Sequence, residues 1–208
     1  AQWALDSLLA GSSPAKGSIA VPHRLLHTAA IPFAPHTGPG PFDTWLQQTL
    51  NYTHLGAVRA AVTQRHDTRH PLQDRGEAHV TLITPPEFSQ ILAPAGVTHA
   101  DLIRIAQQHR VQSIAFRPIC IGRQQIPDPV EPGANQVVYN LIVSSPEWLR
   151  LRWAVWDHFV ALGGEPSRWD PQYHYPHVTI GFTHRDLFDQ DGVHKGRNSC
   201  WRPITLVD

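Results

Sequence analysis

The sequence contains no methionine, only two cysteines, and no apolar run near the roughly 20 residues that a membrane-spanning helix needs. Each absence removes a class. Without such a run the chain is not read as a membrane protein, and no membrane partner is expected. Cys120 and Cys200 cannot make a disulfide-rich scaffold or a four-cysteine zinc site. No motif marks either as a nucleophile, and two unpaired thiols are favoured over a bridge. Charge is sparse too: 16% of residues are charged, with 17 basic groups against 17 acidic ones. Strong attraction to long duplex nucleic acid is therefore not expected. No signal peptide is recognisable; the compartment stays open, with a cytoplasmic setting favoured.

What is present suffices for a core. Hydrophobic residues make up 41% of 208, enough for one large domain or two small lobes. Residues 1–42 are rich in Pro, Gly, Ser and Ala, with a short helix expected over Trp3 to Leu9 and an irregular or edge-strand segment over Ser18 to Phe33. Apolar spacing predicts a helix from Phe42 to about Thr63, capped by Asp43 or Thr44. Further helices are expected over Thr98 to Arg110, with Thr98 and Asp101 as a capping-box variant, and over Pro146 to Leu162, ended by Gly163-Gly164. Strands are expected at Glu77 to Thr84, Ser113 to Ile126, Asn135 to Ser144, His177 to Phe182 and Trp201 to Val207. The order of elements is not a βαβα alternation and indicates an α+β fold with antiparallel sheets.

One long-range echo stands out. His79-Val80-Thr81-Leu82 returns as His177-Val178-Thr179-Ile180, 98 residues later. With 14 histidines in the chain, about 0.15 matches to His–apolar–Thr–apolar are expected by chance. A decoy, His66-Asp67-Thr68, has a charged middle residue in a polar loop and is discarded. In a strand, residues two apart share a face. His79 and Thr81 then point one way, as do His177 and Thr179, while Val80, Leu82, Val178 and Ile180 point into apolar packing. Gly181 lies on the His177 side, where a ligand could approach the backbone. Two imidazoles and two hydroxyls on one small area suit a phosphodiester. One imidazole acts as base and the other as acid, and the hydroxyls donate to nonbridging phosphate oxygens.

The two His-x-Thr motifs, and Pro176 before the second, resemble the 2H phosphoesterase superfamily, which includes RNA 2′,5′-ligase-like proteins, cyclic phosphodiesterases and Swiss Army Knife members. The resemblance implies that residues 1–208 form a single bilobal domain: two antiparallel sheets with pseudo-twofold symmetry around a central groove lined by His79, Thr81, His177 and Thr179. It implies hydrolysis of nucleoside or RNA-terminal 2′,3′-cyclic phosphates, to 2′-phosphates, with no metal and no cofactor. The expected partner is a nucleotide or an RNA 3′-end carrying the cyclic phosphate, since basic clusters for long RNA are missing, and a monomer is expected. A 2′,5′- or 3′,5′-oligonucleotide phosphodiesterase and a catalytically silent nucleotide or ADP-ribose module stay open as alternatives.

Around the motifs, Tyr175 falls on the His177 side and is a candidate to stack on a base. Glu77 falls on the His79 side, and its reading as a solvated strand start is favoured over orientation of the imidazole. Arg75, Arg117 and Arg123 are candidate phosphate or base contacts, with nothing to choose among them. His23/His27 and His66/His70 have i,i+4 spacing but lie in no convincing helix, so metal binding is not favoured. His184-Arg185-Asp186-Leu187 matches the start of a protein-kinase catalytic loop, but Asp191 stands where that loop needs Asn, and the match is set aside.

Overall fold

The two histidine–threonine segments form adjacent strands, and the architecture follows from their pairing. The computed structural model describes residues 17–67 and 69–208. The helix expected over Trp3 to Leu9, and Thr68 of the decoy, lie outside them. The strands are β1 (Ile19–Pro22), β2 (Leu46–Thr49), β3 (His79–Ile83), β4 (Arg117–Pro127), β5 (Asn135–Ser144), β6 (His177–Phe182), β7 (Cys200–Arg202) and β8 (Ile204–Val207). The helices longer than one or two turns are α1 (Tyr52–Thr63), α2 (His99–Gln108) and α3 (Pro146–Ala161).

Six strands make one antiparallel sheet in the order β2-β3-β6-β5-β4-β7, and β1 pairs in parallel with β8. The fold is α+β. The expectation of two antiparallel sheets is corrected: β3 and β6 pair directly, Val80 with Val178, and this joins both motif strands into one sheet. The second sheet is the small parallel pair.

Local sequence explains most boundaries. At α2, Thr98 Oγ1 accepts from the Asp101 amide at 3.1 Å and Asp101 Oδ2 accepts from the Thr98 amide at 2.9 Å, satisfying two otherwise orphaned donors. At α3, Ser145 is the cap and Pro146 opens the first turn. Gly163, at φ +96°, turns the chain after α3, a conformation open to glycine.

The helix expected from Phe42 is corrected at its first half. Residues 46–49 form β2, and α1 starts only after Asn51, whose Oδ1 accepts from the His54 amide at 3.1 Å. Tertiary bonding overrides helical spacing here. The backbone of β2 pairs with β3, and fully buried Gln48 is satisfied by Trp148 Nε1 (2.8 Å), Thr28 Oγ1 (2.8 Å) and the Ile114 carbonyl (2.9 Å). Asp43 instead closes a turn by accepting from the Gly40 amide at 2.7 Å. The single strand expected from Trp201 is split by Pro203, so β7 joins the large sheet and β8 the small one.

The pairing Gln48–Val80–Val178–Leu141–Ile121 runs across one face of the sheet. These positions are buried with Leu55 and Val58 of α1, Leu102 and Ile105 of α2, and Trp148, Leu151 and Val155 of α3. Within this core Arg152 of α3 is fully buried. Its Nε donates to the Pro171 carbonyl (2.7 Å), Nη1 to the Leu82 carbonyl (2.8 Å) and Glu87 Oε2 (3.1 Å), and Nη2 to Glu87 Oε1 (2.8 Å) and the Tyr173 carbonyl (3.0 Å). All five donors are used.

The unpaired-thiol reading is corrected. Cys120 and Cys200 form a disulfide, with Cα atoms 5.7 Å apart. The reason is topological: Cys200 pairs with Gly122 of β4, two residues from Cys120. Sequence spacing carries no information on that distance.

Two stability outcomes follow. Arg152→Met leaves Glu87 buried without its partner and should lower unfolding free energy by about 3–5 kcal/mol, read from urea midpoints. Cys120→Ser with Cys200→Ser opens a closure spanning 80 residues, which chain entropy values at roughly 4 kcal/mol, and should lower the melting temperature.

Candidate active site

Antiparallel pairing of Val80 with Val178 sets His79 opposite Thr179 and Thr81 opposite His177. All four side chains are half-buried, whereas Val80, Leu82, Val178 and Ile180 are fully buried on the other face. The alternation expected from sequence is what the strands show. Directly opposed residues have Cβ atoms roughly 5 Å apart and diagonal ones roughly 7 Å, so the two imidazoles stand on a diagonal that one phosphate can span.

The pairing extends these residues into two rows across the sheet. One runs Thr49–His79–Thr179–Asn140–Gly122, the other Gln47–Thr81–His177–Ile142–Cys120. Along β2 and the residue before it, Trp45 Nε1 donates to Gln47 Oε1 (2.8 Å) and Gln47 Nε2 to Thr49 Oγ1 (2.9 Å), a ladder of residues two apart. On the far side, buried Asn140 Nδ2 donates to Gln124 Oε1 (2.6 Å), Gln124 Nε2 to Ser199 Oγ (2.7 Å), and Ser199 Oγ to the Gly196 carbonyl (2.6 Å). This relay ties the segment before β7 to the sheet.

The histidines differ in their bonding. His177 Nδ1 lies 2.7 Å from the Tyr175 carbonyl. A carbonyl only accepts, so Nδ1 carries the proton and Nε2 of the neutral ring keeps its lone pair. His79 Nδ1 is buried and lacks a hydrogen bond; Glu77 Oε1, at 3.5 Å, is an electrostatic neighbour. Glu77 is thus beside the imidazole without fixing its orientation. Both rings are harder to protonate than a free imidazole. Burial is the main cause for each; Arg75 and His36 add to it at His79, and Lys195 at His177. Glu77 opposes the shift at His79, and the Tyr175 carbonyl and Asp186 oppose it at His177.

An ion cluster acts electrostatically on the two rings, with Asp186 and Lys195 buried and the Arg75 side chain 37% exposed. Asp186 Oδ1 accepts from Lys195 Nζ (2.7 Å) and the Leu187 amide (2.8 Å), and Oδ2 from Arg75 Nη2 (2.7 Å). Of the three arginines flagged in sequence, Arg75 is therefore the one at the site. Arg123 pairs with Asp67 at 3.1 Å and lies over the Tyr139 ring, and Arg117 is exposed at the start of β4. Asp186 belongs to the kinase-like tetrapeptide, whose His184 Nε2 lies 3.0 Å from Asp128 Oδ2. Lys195 carried no signal in sequence.

Tyr175 precedes β6 at the rim. Its ring is stacked on His194 with centroids 5.1 Å apart, edge-on to Tyr173 at 5.3 Å, and 37% exposed. Gly181 does not open toward a ligand. An added Cβ would stand 3.0 Å from the Gln73 carbonyl, because Gln73 pairs with Phe182 there. A register shift between Tyr139 and Asn140 also falls between Thr179 and Gly181 and breaks the alternation. His174 Nε2 donates to the Thr81 carbonyl at 3.0 Å, bracing the approach to β6 against β3. Of the i,i+4 histidines, His70 bonds Glu131 at 2.8 Å and His66 meets the Tyr139 ring edge-on. Among the described residues no group of three His, Cys, Asp or Glu side chains is arranged to hold a metal ion. Cavities of about 260 and 270 Å³, beside Arg110 and beside Arg123, are lined by none of the four motif residues.

A family model described as Swiss Army Knife, 2H phosphoesterase domain matches residues 44–188. The matched span holds both His-x-Thr strands, Arg75 and Asp186, and ends before Lys195. No curated protein and no solved structure matches the chain.

The buried imidazoles carry a stability consequence with a definite sign. Each has a folded pKa below the ordinary 6.5, to about 4 for His79 and about 3 for His177. As pH falls below 6.5 the unfolded chain takes up these protons first, so the stability present at neutral pH is lost toward about pH 4. His79→Asn removes one such group. Its unfolding free energies at about pH 7 and about pH 4.5, from urea denaturation, should differ less than those of the wild type, by on the order of 1–2 kcal/mol.

Proposed function

The chain belongs to the Swiss Army Knife 2H phosphoesterase family, and from that premise we propose that it is a metal-independent phosphodiesterase opening 2′,3′-cyclic phosphates of nucleosides or RNA 3′-ends to 2′-phosphates. The observation that carries this reading is the β3–β6 register, in which each histidine is opposed by the threonine of the other motif. A phosphate lying over the seam meets an imidazole on each side and a hydroxyl beside each imidazole. The groove expected of the family corresponds, in this reading, to the face above the seam, and the twofold relation to the local symmetry of the antiparallel pair.

The step balances without a further reagent. His177 Nε2, whose lone pair is free, removes a proton from water as its oxygen bonds to phosphorus. The P–O3′ bond breaks, its electron pair stays on O3′, and His79 supplies the proton. Thr81 and Thr179 donate to the nonbridging oxygens as charge builds there. Glu77 beside His79 offsets part of the burial that makes this ring hard to protonate, and the bound phosphate anion favours the protonated ring further, so in this reading His79 takes up the acid's proton with the substrate. Tyr175, exposed and aromatic at the rim, is the surface on which a base stacks. Gly181 serves by letting the Leu72–Gln73 segment lie against β6.

Hydrolysis of the four nucleoside 2′,3′-cyclic monophosphates in excess chelator, with the product read by phosphorus NMR, tests the reading. Turnover to a 2′-phosphate is expected, with a loss of about a thousandfold or more in His79→Ala and in His177→Ala. Thr81→Ala and Thr179→Ala should each lose about 10- to 1000-fold. A histidine variant that retains wild-type turnover overturns the assignment. Cleavage of 2′,5′- or 3′,5′-linked dinucleotides alone replaces the substrate, and saturable nucleotide binding without product replaces the enzyme by a binding module.

A further inference from the structure

Lys195 is an ammonium in a place that costs free energy unless an anion is present. It is 6% exposed, and of its three N–H donors only one has an acceptor among the described residues, Asp186 Oδ1 at 2.7 Å. The Phe188 ring, 5.2 Å from Nζ, closes another side. Asp186 is already shared: Arg75 holds its second oxygen at 2.7 Å and the Leu187 amide its first at 2.8 Å. Two cations therefore divide one buried carboxylate. The other acidic group acting on Lys195, Asp189, is 57% exposed in its side chain and engaged by Tyr173 and His194. Glu77 faces His79 and is 41% exposed in its side chain.

The segment that carries Lys195 packs against Tyr175, the residue that holds His177. Gly196 lies flat against Tyr175, so close that a Cβ there would stand 2.9 Å from the ring. The carbonyl of that same Tyr175 holds His177 Nδ1. Ser199 and Gln124 then fasten the segment to Asn140, the cross-strand neighbour of Thr179. Lys195 and Asp186 act electrostatically on His177, and Arg75 and Asp186 on His79, so Asp186 is within electrostatic reach of both imidazoles.

We propose that Lys195 is a further catalytic residue whose ammonium donates to a nonbridging phosphoryl oxygen between the two histidines, and that Asp186, with Arg75 on its second oxygen, is the residue that positions it. This rests on the phosphodiesterase reading and adds a charged donor to the two hydroxyls. No bond is made or broken by the cluster. A monoanionic phosphodiester neutralises the excess charge on binding, and the negative charge that grows in the transition state meets an ammonium already desolvated and fixed.

Two measurements decide it. In the wild-type protein, titration with inorganic phosphate should shift the Lys195 side-chain ammonium and the His177 ring NMR signals with one dissociation constant. In kinetics, Lys195→Met should lose about a hundredfold or more in kcat/KM and weaken phosphate binding, while Lys195→Arg retains most of both. Asp186→Asn removes the charge that holds and stabilises the ammonium, so the Lys195 signal should no longer follow phosphate and kcat/KM should fall, and Asp186→Glu should restore both. Histidine signals that respond while the ammonium stays fixed, or a Lys195→Met enzyme with wild-type kcat/KM, overturn the proposal and leave the His/His reading intact. If the wild type turns over no phosphodiester, that reading fails, and the phosphate titration still decides whether Lys195 holds an anion. Should the Met variant not fold, the wild-type titration and the Arg variant decide.

Discussion

The guanidinium of Arg152 commits all five N–H donors inside the protein, and the candidate site depends on where they go. Two bind Glu87, just after β3; one binds the carbonyl of Leu82 in β3; two bind the carbonyls of Pro171 and Tyr173, on the approach to β6. One side chain of α3 thus fixes the end of one motif strand relative to the start of the other. A buried charge is stabilised only when every partner is in place, which makes the arrangement all or none. His174, the residue after Tyr173, adds a neutral brace by donating to the Thr81 carbonyl.

With the seam fixed, the two faces of the sheet take opposite characters. One is continuous with the apolar core beneath three helices. The other carries threonines, glutamines, an asparagine and the two histidines in register. The loops over that polar face add what strands cannot: a carboxylate with two cations from Arg75, Asp186 and Lys195, and aromatic rings from Tyr175 and His194. Strand residues set the positions of acid and base, and loop residues set the charge around them. That division matches the difference in rigidity between the two kinds of segment.

Much of this was legible in the sequence where the signal is periodic or local. The α2 capping box, the α3 start at Pro146, the strand from Asn135 to Ser144 and the His177 strand lie where the residues put them. The facing of His79 with Thr81 follows from alternation alone. What could not be read is pairwise and distant. Leu46 to Thr49 looks helical because its strand character comes from β3 and from Gln48's buried partners. The merging of two sheets into one rests on a pairing across 98 residues, and the disulfide on another across 80. Asp186 was visible only as part of a tetrapeptide with the wrong chemistry, and Lys195 as an ordinary lysine, because an ion cluster drawn from two loops far apart in sequence has no period. Gly181 shows the limit of a face argument: the alternation that should have opened it to a ligand is broken by a bulge.

The β3–β6 register also acts as a parity rule on the gene. Insertions in the surface loops on either side leave the alternation of each strand untouched. A slip of one residue between the strands would turn one motif over, sending its histidine and threonine into the apolar layer and its valine to the solvent. A slip of two would restore the facing and still separate each histidine from the opposing threonine. Length can therefore vary in loops that carry no site residue, while it is quantised at the seam, where only a shift of zero preserves both the core and the four-residue constellation.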